Sequence, residues 1–385
     1  MKKLILSLTA ILSLTYLTSC SNNDDNNDGG EIEPNKEEVL SGTITADRTL
    51  NANTVYTIKE GVIVDKGVTL TIPAGTKLIS YAGSDAKVAS YLAVKQGGKI
   101  NAQGTAAKPI VMTSGKSNPQ AGDWGGIVIC GNAITNLGKN VQAEVTGLTY
   151  GGDNPADNSG VYSYIRIEYA GALINPDAEY NGMTFYAVGN GTTVNNILTY
   201  QGSDDGFEWF GGSVNAENLI SIGNQDDSFD WTEGWNGKVT NLYANQSTAT
   251  AFSSDSRGIE ADNNSTTPTL EPISNPTLKN VTLIGRNLAT VTSEAGVMLR
   301  RGTKGTIDNL YIENFKGTVS GSGLGINFNG AESQAYFTAN PLTNVKISNV
   351  TSESNLLAGF KLGTNVTGAG AGAAIPAWAT WTGLK

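Results

Sequence analysis

The chain has 385 residues, 39% of them hydrophobic and 16% charged, with a formal net charge of −10, 47 glycines and no histidine. An acidic surface repels phosphates, which excludes nucleic-acid binding. The missing histidine excludes His-based triads, His zinc sites and the commonest general base.

Residues 1–19 read as a targeting segment. Lys2 and Lys3 precede an apolar run over 4–17 that is too short and too interrupted to span a bilayer. The run ends in Leu17-Thr18-Ser19-Cys20, which resembles a bacterial lipobox, so Cys20 is the expected lipidation site. Residues 20–38 are polar and acidic and form the expected flexible tether. Acidic residues directly behind the lipidated cysteine resemble the surface-export signal of Bacteroidota lipoproteins. The resemblance implies an outer-membrane anchor, exposure at the cell surface and an outer-membrane transporter as a partner. Cleavage would leave 23 basic against 35 acidic residues. Cys130, the second of two cysteines, then has no partner and reads as a small core residue in the strand Ile127-Val128-Ile129-Cys130.

From 39 onward the chain reads as short strands and tight turns. Val68-Thr69-Leu70-Thr71-Ile72 alternates apolar and polar residues and then turns at Pro73-Ala74-Gly75. Tyr91-Leu92-Ala93-Val94, Pro109-Ile110-Val111-Met112 and Ile127-Val128-Ile129 follow, each bounded by glycine, asparagine or proline. The stretch from Leu70 through Ala106, Lys108, Pro109 and Ile110 to Asp123-Trp124-Gly125-Gly126-Ile127 resembles secreted right-handed parallel β-helix lipoproteins of Bacteroidota, with pectate-lyase-like architecture. The resemblance covers about 40–385 and implies one all-β solenoid domain over 39–385. It says little about activity.

The centre of the chain repeats itself. Asp204-Asp205-Gly206-Phe207-Glu208-Trp209 returns as Asp226-Asp227-Ser228-Phe229-Asp230-Trp231, and Phe185 lies the same distance before Phe207. Such a period marks a solenoid whose coils bury their apolar faces only against one another. One column of strands begins with asparagine: Asn196, Asn218, Asn241, Asn280, Asn309 and Asn344. These residues are expected to form an amide ladder at one turn. A second column runs Gly206-Phe207, Ser228-Phe229, Gly258-Ile259, Gly296-Val297, Gly325-Ile326 and Gly359-Phe360. Insertions at 143–159, 173–180, 246–254 and 261–276 fall at turns, where solenoids build binding faces. The apolar, aromatic tail at 373–381 is expected to cap the C-terminal end of the stack.

Coils stack about 4.8 Å apart. With Phe207 and Phe229 inward, Glu208 and Asp230 point outward in one column, with Tyr186 expected below and Glu260 above. Asp204 lies over Asp226, and Asp205 over Asp227, with Arg257 next. Two unit charges at that spacing repel by about 0.9 kcal/mol in water and about 3.5 kcal/mol at an effective dielectric of ~20. Solvent, a basic neighbour, a shared proton or a cation can offset this. Asp204, Glu208, Asp226 and Asp230 are therefore candidate calcium ligands. Tyr186, Glu208, Phe210, Asp230, Trp235, Arg257 and Glu260 are candidate ligand-binding residues, with Phe210 and Trp235 expected to be exposed.

Three functional readings stand. The first is a surface accessory protein that binds an extracellular ligand, with glycan as the expected class. The second is a polysaccharide hydrolase or lyase. The layout of Asp205, Asp226 and Asp227 is similar to the aspartates of β-helix polygalacturonases, which implies those three as catalytic groups. That family's histidine motif is absent here, and its Arg-x-Lys is represented by Arg257 alone. The third is a structural adhesin or spacer.

Overall fold

The computed structural model describes residues 36–384 apart from 86, 177, 250, 290–293 and 318–322. Cys20, the targeting segment and the tether as far as residue 35 lie outside the described residues. Residues 36–38, expected in the tether, already belong to the strand Lys36–Ile44.

Parallel pairing builds three sheets of a right-handed β-helix. One sheet stacks Tyr91–Val94, Ile127–Cys130, Met183–Tyr186, Phe207–Phe210, Phe229–Thr232, Arg257–Ala261, Ala295–Leu299 and Leu324–Phe328. The other two sheets are the arms of longer strands, such as Thr193–Tyr200, Ala216–Ile222, Lys238–Asn245 and Thr277–Ile284. Each of these bends at its asparagine.

That bend is the asparagine ladder. Asn196, Asn218, Asn241, Asn280 and Asn309 all take left-handed backbone conformations, with φ between 54° and 64°. Asparagine tolerates this region better than most residues. Each side-chain amide from Asn218 to Asn309 donates to the side-chain Oδ1 of the asparagine one coil earlier, at 2.8–3.1 Å. Asn344 departs from the ladder and donates to Asp308 Oδ1.

The lumen is filled by alternate side chains of all three sheets. Phe207 stacks on Phe229 with ring centroids 5.6 Å apart, and Phe185 stacks on Trp209 at 5.4 Å. Trp235, expected on the surface, lies inside, 4.6 Å from Trp209, with its Nε1 donating to the carbonyl oxygen of Val214. The glycine column is a contact requirement: a Cβ on Gly258 or Gly296 would come within 2.5 or 2.6 Å of the next coil's carbonyl oxygen.

Two expectations are corrected. Phe185 pairs with Trp209, and Met183 pairs with Phe207. A shift of two residues keeps every side chain on its own face, so alternation cannot detect it. Tyr186 therefore lies below Phe210, and Thr184 lies below Glu208.

The C-terminal tail does not sit over the end of the stack. It runs back along the outside of one sheet. Gly368 N–H donates to Asn309 Oδ1, Tyr243 OH donates to the carbonyl oxygen of Ala373, and Arg166 donates to that of Thr382. It covers Leu198, Ile220, Ile222 and Tyr243, which are apolar residues on the outward face. Burying those side chains is what places the tail.

Candidate functional site

The outward face of the Phe207–Phe210, Phe229–Thr232 and Arg257–Ala261 sheet carries the acids. Glu208, Asp230 and Glu260 are in direct register, as expected. At the turn before these strands, Asp205 Oδ1 accepts the backbone N–H of Asp227 at 2.9 Å, and Asp227 Oδ1 accepts that of Arg257. Asp226 Oδ1 accepts the hydroxyl of Ser253 at 2.6 Å.

Two insertions complete a cleft of about 410 Å³ around them. Glu144 comes from the hairpin of Val141–Gln142 and Thr149–Tyr150, and Glu179 from the hairpin of Leu173–Asn175 and Ala178–Glu179. With Asp204, Asp255 and the residues above, ten of the twelve lining residues are carboxylates. Glu144, Glu179 and Asp255 escape sequence reasoning because they lie in no repeated column. The only signal was that insertions tend to build the binding face.

Two carboxylate sets are close enough to hold a cation. Asp204, Asp205 and Asp226 form one, and Asp205, Asp227 and Asp230 the other, with all ligand oxygens of a set within 4.8 Å. The expected set of Asp204, Glu208, Asp226 and Asp230 is thus recentred on Asp205, which belongs to both. Glu208 lines the cleft outside these sets, where its Oε2 accepts the amide of Asn181 at 2.6 Å. Oδ1 of Asp230 is buried without a hydrogen-bond partner.

Burial, reinforced by neighbouring acids, holds the carboxyls of Asp204, Asp205, Glu208, Asp227 and Asp230 well above the usual carboxylate range. Burial also raises Asp226, opposed by its Ser253 hydrogen bond and by the charges of Arg257 and Arg286. Glu260 is pushed to about 7 by burial, with Arg300 and Arg257 opposing. Burial and mutual repulsion thus both favour the protonated form of these acids.

Arginines close one end. Arg257 pairs with Asp255 and lies 3.6 Å from Glu260. Arg300 pairs with Glu260 and Asp262, and Arg301 with Asp262. Arg257, a candidate ligand-binding residue, is buried among these acids.

The aromatic candidates are corrected as well. Tyr186 is 2% exposed and Phe210 8%. Tyr186 is sandwiched between Tyr150 and Phe210 beneath the 141–150 hairpin, and its hydroxyl donates to Glu144 at 3.0 Å. With Trp235 in the lumen, none of the three offers a ring to a sugar. Cys130 is buried under the same hairpin on the outer side of its strand. Burial pushes its thiol up to about 12.

Asp205, Asp226 and Asp227, the expected catalytic group, do meet in the cleft. Asp205 and Asp227 each commit an oxygen to the next coil's backbone. A carboxylate oxygen of Asp205 lies within 4.8 Å of one of Asp226, and an oxygen of Asp205 within 4.8 Å of one of Asp227.

Residues 42–382 match the model of the pectate-lyase-like β-helix domain. The chain belongs to the pectate-lyase-like β-helix family. No curated protein and no solved structure matches it. Membership in this family accounts for the coil architecture, and the chemistry has to be argued from the cleft itself.

Proposed function

We propose that this protein is a lipid-anchored accessory protein of the cell surface, which binds calcium in its acidic cleft and an extracellular glycan along the same face. The observation that carries the cation is the pair of oxygen sets sharing Asp205, together with the unpartnered buried oxygen of Asp230. Calcium takes six to eight oxygens at flexible geometry, and a histidine-free set of carboxylates suits a hard cation. Glycan hydroxyls would fill coordination positions that the protein leaves open. Cys20 would supply the outer-membrane anchor, and an outer-membrane transporter is the partner that address suggests.

Binding is favoured over hydrolysis or a lyase because Asp205 and Asp227 each commit an oxygen to the backbone of the next coil and Arg257 is held among carboxylates. The test is a calorimetric titration of the full chain with calcium chloride, alongside Asp205→Asn and Asp230→Asn. Heat in the parent that both variants lose supports the reading. No heat and an unchanged melting temperature would return the cleft to a solvated acidic face and favour the spacer.

A further inference from the structure

A second cavity, of about 650 Å³, lies beside the acidic cleft and is lined by Lys87, Val88, Tyr91, Val145, Leu173 and Tyr180 among others. The two spaces share their walls. Glu144 lines the cleft and the next residue, Val145, lines the cavity; Glu179 and Tyr180 divide in the same way.

The character of this cavity differs from that of the cleft. Val88 and Leu173 are 55% and 63% exposed, two of only eight large apolar side chains left exposed among the described residues. Tyr91 and Tyr180 stack at 5.2 Å with their planes 26° apart, and among the described residues no hydrogen bond occupies either hydroxyl. The apolar contact comes from Val88 and Leu173, because the tyrosine rings are only 9% and 6% exposed, and such a wall beside polar groups fits a ring that is apolar on its face and polar at its edge.

We propose that this cavity is a sugar subsite, seating one ring of a neutral, hydroxyl-rich oligosaccharide whose next units enter the acidic cleft. The glycan part of this rests on the function proposed above. Charge selects the class. A polyanion would meet ten carboxylates, with Lys87 to favour it and with Arg257, Arg300 and Arg301 already paired with Asp255, Glu260 and Asp262, whereas neutral hydroxyls can donate to carboxylates and coordinate a cation. An apolar peptide would gain from Val88 and Leu173 but would bring only its backbone amides to the cleft.

The experiment is calorimetric titration of the full chain with cellohexaose, xylohexaose and mannohexaose, with and without calcium. Val88→Asp and Leu173→Asp change exposed side chains, and both variants should keep the melting temperature of the parent. At least one hexasaccharide is expected to bind, and each variant to weaken it by about tenfold or more while calcium heat is unchanged. Sugar binding that survives in Asp230→Asn but is lost in Leu173→Asp would uphold the subsite while calcium fails. The proposal is overturned if no hexasaccharide binds, or if binding ignores both cavity variants. A hydrophobic dye held in the cavity and displaced by none of the sugars would also overturn it, making this an apolar-ligand site.

Discussion

Asp205 accepts the backbone N–H of Asp227, one coil further on, through Oδ1 at 2.9 Å, and its carboxylate also belongs to both oxygen sets of the cleft. One side chain thus joins the stacking of two coils to the candidate cation site. Asp205→Asn keeps an acceptor for that N–H and removes a buried acid. The apo protein should melt at the same temperature or higher, because like-charge repulsion is relieved. Calcium should no longer stabilise it, whereas the parent should gain about 2.7 kcal/mol at a hundredfold excess over Kd. Scanning calorimetry with EDTA or with calcium reads both effects.

The pH dependence follows from carboxyls raised by burial. Glu260 and Glu233 are each pushed up to about 7 in the folded protein. Groups raised on folding stabilise fully below their unfolded pKa, and that contribution is lost as pH rises through the folded value. The calcium-free protein should therefore be more stable near pH 5 than near pH 8. Calcium should reverse the trend at the alkaline end, since it binds the ionised carboxylates. Melting temperature against pH, with and without calcium, checks both limbs.

Glu233 separates a local effect from that of the cleft. It does not line the cleft, and its Oε2 accepts the hydroxyls of Tyr150 at 2.8 Å and Thr135 at 3.2 Å, which tie down the insertion carrying Glu144. In Glu233→Gln the acceptor remains and the ionisation is gone. Amide exchange over 141–150 should then lose part of its pH dependence between about 5 and 8 beyond the intrinsic rate, the remainder coming from Glu144, whose carboxyl burial also raises, while the parent opens more readily at the higher pH.

The ladder makes a stability prediction. Asn241 accepts from Asn280 and donates to Asn218, with φ at 64°. Asn241→Ala removes both bonds and leaves a Cβ residue in the left-handed region without local support. The expected loss is about 2–4 kcal/mol. Asn241→Gly should lose less, because its backbone carries no such strain. Urea unfolding measures the difference.

The tail makes another. Removing residues 367–385 would uncover Leu198, Ile220, Ile222 and Tyr243 on one outer face. The truncated protein should bind a hydrophobic dye and melt at a lower temperature, with the calcium titration unchanged because the cleft lies on another sheet. A truncation that leaves dye binding and melting temperature untouched would remove the tail from the account of stability.

Much of this architecture was determined by the sequence alone, because in a solenoid a repeat in sequence is a neighbour in space. The matched Asp-Asp motifs placed Asp205 beside Asp227, and Glu208 beside Asp230 and Glu260. The recurring asparagines marked the bend of the coil. Tertiary structure alone decided whatever depended on contacts without a period. The two-residue shift that sets Tyr186 under Phe210 preserves alternation and leaves no trace in the pattern. Trp235 looked free in a turn, but the turn folds it onto Trp209. Glu144 and Glu179 reach the cleft from non-repeating hairpins, and the tail goes where outward apolar residues need cover. Local periodicity specifies register along the stack, while burial across it depends on which distant segment fills each face.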